Sequence, residues 1–162
     1  MKRLLITGLR QVSVDECAEP KCPAGGVLVR AQLTAISSGT ELRVYRAQPV
    51  DEEGRYLHEN VPFELPTENG YSMVGEVIAC GGTVAGALGT PLSIGDRVFL
   101  AATHREMAVA PADSVFRVPD GIPSERAVLL NIVEVAHAAL RSGAPHLGDD
   151  VAMVGQGVIG WS

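Results

Sequence analysis

Short runs of alternating apolar and polar residues, broken every few positions by glycine or proline, fill the first two-thirds of this chain. Residues 27–35 are the clearest case: Val27, Val29, Ala31 and Leu33 alternate with Leu28, Arg30, Gln32 and Thr34. A period of two suits a half-buried strand, because successive side chains point to opposite faces. Further strands are expected over residues 3–6, 12–16, 72–80, 97–101, 106–110 and 114–118. Between them stand Pro23-Ala24-Gly25-Gly26, Gly81-Gly82, Ile94-Gly95-Asp96, Pro111-Ala112-Asp113 and Pro119-Asp120-Gly121. Many short strands with such punctuation predict a barrel or a sandwich. Residues 48–69 are polar, contain three prolines and show no period. They read as a long loop, and long loops in compact domains are often functional.

After Pro123 the pattern changes. Ser124 has the side chain of an N-cap, with Glu125 in the first turn. Apolar residues then dominate over 127–140, up to Ser142-Gly143-Ala144-Pro145. This predicts one helix or two short ones, apolar nearly all round and therefore buried between layers. Gly148-Asp149-Asp150 is a polar turn, and Val151-Ala152-Met153-Val154 has the continuous apolar character of a strand covered on both faces. Gly155-Gln156-Gly157-Val158-Ile159-Gly160 follows, in the G-x-G-x-x-G spacing of a dinucleotide-binding turn. In that motif the first glycine makes the turn, the second admits a pyrophosphate and the third lets helix pack on strand. The motif also needs a following helix and an acidic residue about 20 positions on, and Trp161 and Ser162 are the only residues left. Two readings stay open: the start of a truncated cofactor domain, or an ordinary glycine turn. The order of barrel, helix, buried strand and glycine turn is that of a domain junction.

The formal net charge is −6, with no cluster of lysine or arginine. Nucleic-acid backbones and anionic membrane surfaces are therefore not expected partners. Met1-Lys2-Arg3-Leu4-Leu5-Ile6 starts like an export signal, but its apolar run ends after three residues. No apolar run is long enough to span a bilayer, and a soluble cytoplasmic protein is expected. Three cysteines are an odd number, which argues against a disulfide framework. Cys17 and Cys22 lack the C-x-x-C spacing of a zinc knuckle, and Cys80 falls in an expected strand, so all three read as free thiols.

Three segments, in order, resemble the medium-chain dehydrogenase/reductase superfamily, which includes zinc alcohol dehydrogenases and quinone reductases. Ala35-Ile36-Ser37-Ser38-Gly39-Thr40-Glu41 is similar to that family's G-I-C-G-T-D, and Gly70-Tyr71-Ser72-Met73-Val74-Gly75-Glu76-Val77 to its G-H-E-x-x-G-x-V. Ile94-Gly95-Asp96-Arg97-Val98-Phe99 is similar to its V-G-D-R-V. Val118-Pro119-Asp120-Gly121-Ile122-Pro123 and the closing glycines fall in family order. The resemblance implies a mainly β chain: a GroES-like catalytic or substrate domain over residues 1–122 and connecting helices over 123–147. The first strand and glycine turn of a truncated Rossmann domain would occupy 148–162. It also implies a nicotinamide cofactor, NAD or NADP, approached by Gly155, Gly157 and Gly160, and a small-molecule substrate in a homo-oligomeric full-length protein. S-x-G-T-E combined with Gly70-Tyr71 looks most like bacteriochlorophyllide a dehydrogenase among the branches, which would imply a hydroxyethyl group on a tetrapyrrole.

The departures matter as much. Where zinc-using members carry cysteine, histidine and glutamate, this chain has Ser38, Tyr71 and Ser72. Neutral hydroxyls are poor substitutes for thiolate or imidazole on zinc. No cysteine lies in residues 97–109, where a structural-zinc lobe would be, and no zinc is expected. Thr40 matches the family's proton-relaying hydroxyl, or is a turn threonine at a helix entrance. Tyr71 could stabilise developing alkoxide charge, or fill the volume left by a missing metal. Ser38 lines the same site, or opens a helix over 42–47 as the serine of an S-x-x-E capping box with Glu41. Ser72 is expected to face a wall of the former metal site. His104 could line the cleft or be a loop histidine, His137 reads as a core residue, and His58 and His146 have no evident partner. These residues suggest the N-terminal part of a zinc-independent, NAD(P)-dependent oxidoreductase acting on an alcohol/carbonyl pair. The alternative is a non-catalytic barrel remnant that serves as a binding or interaction module.

Overall fold

A computed structural model of the chain describes residues 1–46 and 65–160. In chain order its elements are β1 (Lys2–Gly8), β2 (Gln11–Glu16), β3 (Gly26–Thr34), α1 (Thr40–Tyr45), β4 (Thr67–Glu68), β5 (Met73–Cys80), β6 (Val84–Ala85) and β7 (Pro91–Leu92). There follow β8 (Arg97–Leu100), β9 (Met107–Pro111), β10 (Phe116–Arg117), α2 (Ser124–Ala127) and α3 (Leu130–Gly143). Strand prevails, as the alternation predicts.

Five strands form the main sheet in the order β10-β8-β5-β3-β9, antiparallel throughout. Its middle strand, β5, is covered on both faces. Met73 and Val77 join Val27, Val29, Val98, Leu100 and Val115 in one cluster. Val74 points the other way and packs with Phe99, Val118 and Val128. Each such side chain stabilises the fold by about 1.5–3 kcal/mol when fully buried. Val128 lies between α2 and α3, so this second cluster is what lays the helical segment against the sheet. A smaller sheet, β2-β1-β4, rests on the stretch before β9. There the Leu4 N–H donates to the His104 carbonyl at 2.9 Å, and Glu106 N–H to the Lys2 carbonyl at 3.0 Å. Arg3 pairs with Asp15 and Glu68, and Arg105 also reaches Glu68.

Several expectations need correction. The strand expected over 114–118 shrinks to the two residues of β10, preceded by a 3-10 turn at Ala112–Ser114. Pro123, not Ser124, is the N-cap of α2. The Ser124 hydroxyl instead accepts from Arg97 Nη1 at 3.4 Å, while Nη2 donates to the Pro119 and Ile122 carbonyls, folding the turn before the helix. α3 is not enclosed: none of its residues is buried among the described residues, and His137 is exposed. Its apolar circumference predicts burial, but the described chain lays only its first turn against the sheet. Residues 151–154 join no sheet, and Val154 is almost fully exposed. A strand exists through its ladder partners, and no described strand pairs with this segment, which has α3 as its neighbour instead. The expected loop over 48–69 falls mostly outside the described residues, as does His58.

Candidate active site

β3 and β5 run antiparallel, with Thr34 opposite Met73, so the chain leaving β3 and the chain entering β5 meet at one end of the sheet. The junction between α2 and α3 covers that end. The three segments line an open cavity of about 160 Å³. Ile36, Ser37 and Ser38 form one wall, Tyr71 and Ser72 a second, and Val128, Leu129 and Ile132 a third. Val158 completes it, from within the glycine turn. Ser38, Tyr71 and a residue of the G-x-G-x-x-G segment thus share one cleft, although 33 and 87 positions separate them (71 − 38 and 158 − 71). Thr40 is not among the lining residues; it stands half-buried in the first turn of α1.

Backbone and side-chain contacts fix the second wall from both sides. Ser72 is buried, and its hydroxyl donates to the Val128 carbonyl. Asn131 Nδ2 donates to the Tyr71 carbonyl at 2.7 Å. On the opposite side Ala35 N–H donates to the Ser72 carbonyl at 3.1 Å. The Ser72 hydroxyl does more than face a wall: it ties β5 to the helical segment.

The first wall is held by a group that spacing alone does not reveal. Glu41 is only 4% exposed. One carboxylate oxygen accepts the Ser37 N–H at 2.9 Å. The other lies 2.6 Å from His104 Nε2, and His104 Nδ1 lies 2.8 Å from Thr34 Oγ1. His104 is a loop histidine, as one of its two readings has it, and does not line this cavity; it bridges α1 and the end of β3. Gly70 makes room for it: at φ +109° a Cβ there would sit 3.0 Å from the imidazole and from the His104 nitrogen. The capping box does not form. Gly39 is the N-cap of α1, no side chain caps the helix, and Ser38 is exposed. Glu41 would have to reach back to the N-cap N–H, but its anchorage on His104 leaves its second oxygen over Ser37. The sequence carries both residues inside recognisable motifs, yet 63 positions apart, with nothing in either to name the other. His146 does find a partner, Asp149 Oδ2, at 3.6 Å from Nδ1.

Of the features its motif requires, the glycine turn shows the backbone of its first and third glycines but, among the described residues, neither the strand before nor the helix after. Gly155 adopts φ +94°, a region that disfavours side chains. A Cβ on Gly160 would run into the Gly155 carbonyl oxygen.

No protein-family model matches the chain. It is 27% identical over 175 residues to D-guloside 3-dehydrogenase of Shigella flexneri, an alignment covering 99% of this chain and 49% of that protein. Its fold superposes on an alcohol dehydrogenase, RspB, from Escherichia coli CFT073, solved with NADH: TM-score 0.68, 22% identity, 90% of this chain and 46% of the other. The quinone oxidoreductase of Coxiella burnetii gives a TM-score of 0.70 at 19% identity, covering 92% and 47%. Dehydrogenase and quinone-reductase relatives coincide here with the ordered motifs and the strand-rich fold. In sequence and in fold the chain is similar to medium-chain dehydrogenases and quinone reductases. It spans about half the length of the curated relatives it matches. Among the described residues no helix is long and apolar enough to cross a membrane.

Medium-chain dehydrogenases that use zinc would place their ligands where this chain has Ser38, Tyr71 and Ser72. Those donors do not suit the metal. They are neutral hydroxyls, and that of Ser72 is spent on a carbonyl. Among the described residues no three His, Cys, Asp or Glu side chains gather into a candidate metal site. Gly155 and Gly160 leave the glycine turn free of side chains, but among the described residues it has neither the strand nor the helix N-terminus that would complete a dinucleotide site.

Proposed function

We propose that the chain is the substrate-side part of a zinc-independent, NAD(P)-dependent oxidoreductase that interconverts an alcohol and a carbonyl. The observation that carries this reading is the shared cleft, in which Ser38 and Tyr71 face a cavity closed by Val158 of the glycine turn. The dehydrogenase names of the relatives support the reaction class. Gly155, Gly157 and Gly160 would hold the pyrophosphate of the cofactor, whose nicotinamide supplies the hydride chemistry when bound.

The chain's own residues would then manage the proton. Without zinc, charge developing on the substrate oxygen needs a hydrogen-bond donor, and the Tyr71 phenol can donate there. Ser38, on the facing wall, can orient the same oxygen. Thr40, two residues beyond Ser38 in the first turn of α1, would pass the proton outward, since a relay needs only a positioned hydroxyl. The full-length protein is proposed to be a cytoplasmic homo-oligomer.

Elemental analysis and calorimetric titration of the full-length protein, purified without a histidine tag, test both halves. Cofactor binding with no stoichiometric zinc is expected. About one zinc per chain overturns the metal-free reading. Failure to bind either NADH or NADPH overturns the oxidoreductase and favours a binding module.

A further inference from the structure

Asn69 is followed by Gly70. Asparagine is chemically labile, most of all before glycine, where no Cβ blocks attack of the next main-chain nitrogen on the side-chain amide. Here the fold holds the reacting atoms together. The Asn69 side chain curls over its own successor, with Oδ1 3.0 Å from the Gly70 nitrogen. Cγ, the carbon to be attacked, is the next atom behind that oxygen. Asn69 Nδ2, the group that would leave, donates only a long bond of 3.3 Å to the Glu41 carbonyl. Asn69 and Gly70 are half-buried, so water and hydroxide reach them.

We infer that Asn69-Gly70 is a site of spontaneous covalent modification, through a cyclic imide to isoaspartate, and that the change releases the Glu41–His104 bridge. Hydroxide takes the Gly70 N–H proton, the nitrogen bonds to Asn69 Cγ, and the Cγ–Nδ2 bond breaks. Nδ2 takes a proton from water and leaves as ammonia, which restores the hydroxide. Water then opens the imide ring. Opening at Cγ leaves an aspartate, whereas opening at the main-chain carbonyl carbon leaves an isoaspartate, whose backbone runs through Cβ and is one methylene longer. Nothing is oxidised or reduced, and water is the co-reactant. The consequence follows from what the dipeptide touches. The Asn69 carbonyl accepts the His104 N–H at 2.9 Å, and Gly70 lies against the imidazole. An extra methylene displaces both. It also brings a new carboxylate beside Glu41, which is buried, and two carboxylates sharing a site oppose one another's ionisation. Once Glu41 shifts, the Ser37 N–H loses its acceptor and the first wall of the cavity loosens. The modification thus limits the lifetime of the site.

Incubating the 162-residue chain at neutral and alkaline pH, folded and in urea, tests the chemistry. Peptide mass spectrometry reads the amide-to-acid conversion, and labelling by an isoaspartyl methyltransferase reads the longer backbone. Asn131, followed by isoleucine in α3, serves as the internal control. In the folded chain Asn69 is expected to convert at least ten-fold faster than Asn131, within ten-fold of its own rate in urea, and faster at alkaline pH. Asn69→Gln keeps the amide but needs a larger ring, and is expected to stop conversion at that position. Conversion more than ten-fold slower folded than in urea shows that the fold protects the asparagine, and overturns the inference. The converted chain gains a negative charge and separates by ion exchange. Hydrogen exchange at the Ser37 and His104 amides is expected to quicken in it at least ten-fold. Unchanged exchange at both amides sinks the link to the bridge even where the chemistry proceeds.

Discussion

At Gly70 one missing methyl group decides where His104 can stand. The position combines φ +109° with a Cβ site 3.0 Å from three atoms of His104. Gly70→Ala is therefore strained in its backbone and displaces the imidazole from Glu41. The expected cost is about 1–3 kcal/mol for a side chain in that region of φ, seen as a lower urea midpoint at unchanged slope. An unchanged midpoint would mean that the His104 bridge does not depend on this glycine. Cys80 shows a different single-residue effect. Burial, then the neighbouring Cys22 thiol, then Asp96, push its pKa up. A raised pKa leaves less thiolate at neutral pH, so Cys80 should alkylate more slowly than an ordinary thiol, and its rate should rise only at more alkaline pH. Peptide mapping after iodoacetamide treatment from pH 7 to 10, native and in urea, would show the profile displaced in the folded chain alone. Coincident profiles would refute the effect.

Among the elements, the joint between β5 and the helical segment bears most on the site, and it depends on two side chains. Ser72→Ala leaves the Val128 carbonyl without its donor in a place where Ser72 and Val128 are each at most 5% exposed. Leaving such a group unpaired costs about 1–3 kcal/mol. Asn131→Ala, at a half-buried contact, should cost about 0.5–1.5 kcal/mol. Hydrogen exchange should quicken over residues 128–134 in both variants, and the cavity wall should loosen with it. Unaltered exchange there would show the joint to be held by apolar packing alone. This is also the scale at which the sequence is most and least legible. The alternation of residues 27–35 and the Ile94-Gly95-Asp96 turn yield β3 and β8 almost to the residue, because local period and local turn chemistry suffice for them. Neither the Glu41–His104 bridge nor the Ser72–Val128 bond follows any period, since each joins positions more than 50 apart. The N-cap at Gly39 instead of Ser38 is a consequence of that bridge. Local rules fail at α1 because a distant side chain has claimed the carboxylate the local motif would use.

Across the whole molecule, apolar surface is distributed unevenly. The five-stranded sheet buries most of its aliphatic side chains, while β2, several turns (Leu9, Leu88, Ile94) and the helical end display theirs. Val133, Val135 and Leu140 of α3 are 43–52% exposed, and Leu147 and Val154 are open to solvent. Val133 and Val135, two residues apart on a helix, lie on different faces, so no single flat contact within the described chain could cover both. Burying a side chain of this size gains about 1.5–3 kcal/mol, and a handful of them suffices for association at micromolar concentration. The 162-residue chain by itself is therefore expected to sediment with a mass that rises with concentration. Replacing Val135 and Leu140 together by glutamate, both on the exposed helix, should restore a monomer without altering the cavity, since neither residue lines it. A polypeptide extended to the length of the matched relatives should lose the concentration dependence of these faces. A chain that stays monomeric at 100 µM or so would show that α3 and the glycine segment shield one another in solution, contrary to their exposure in the structure.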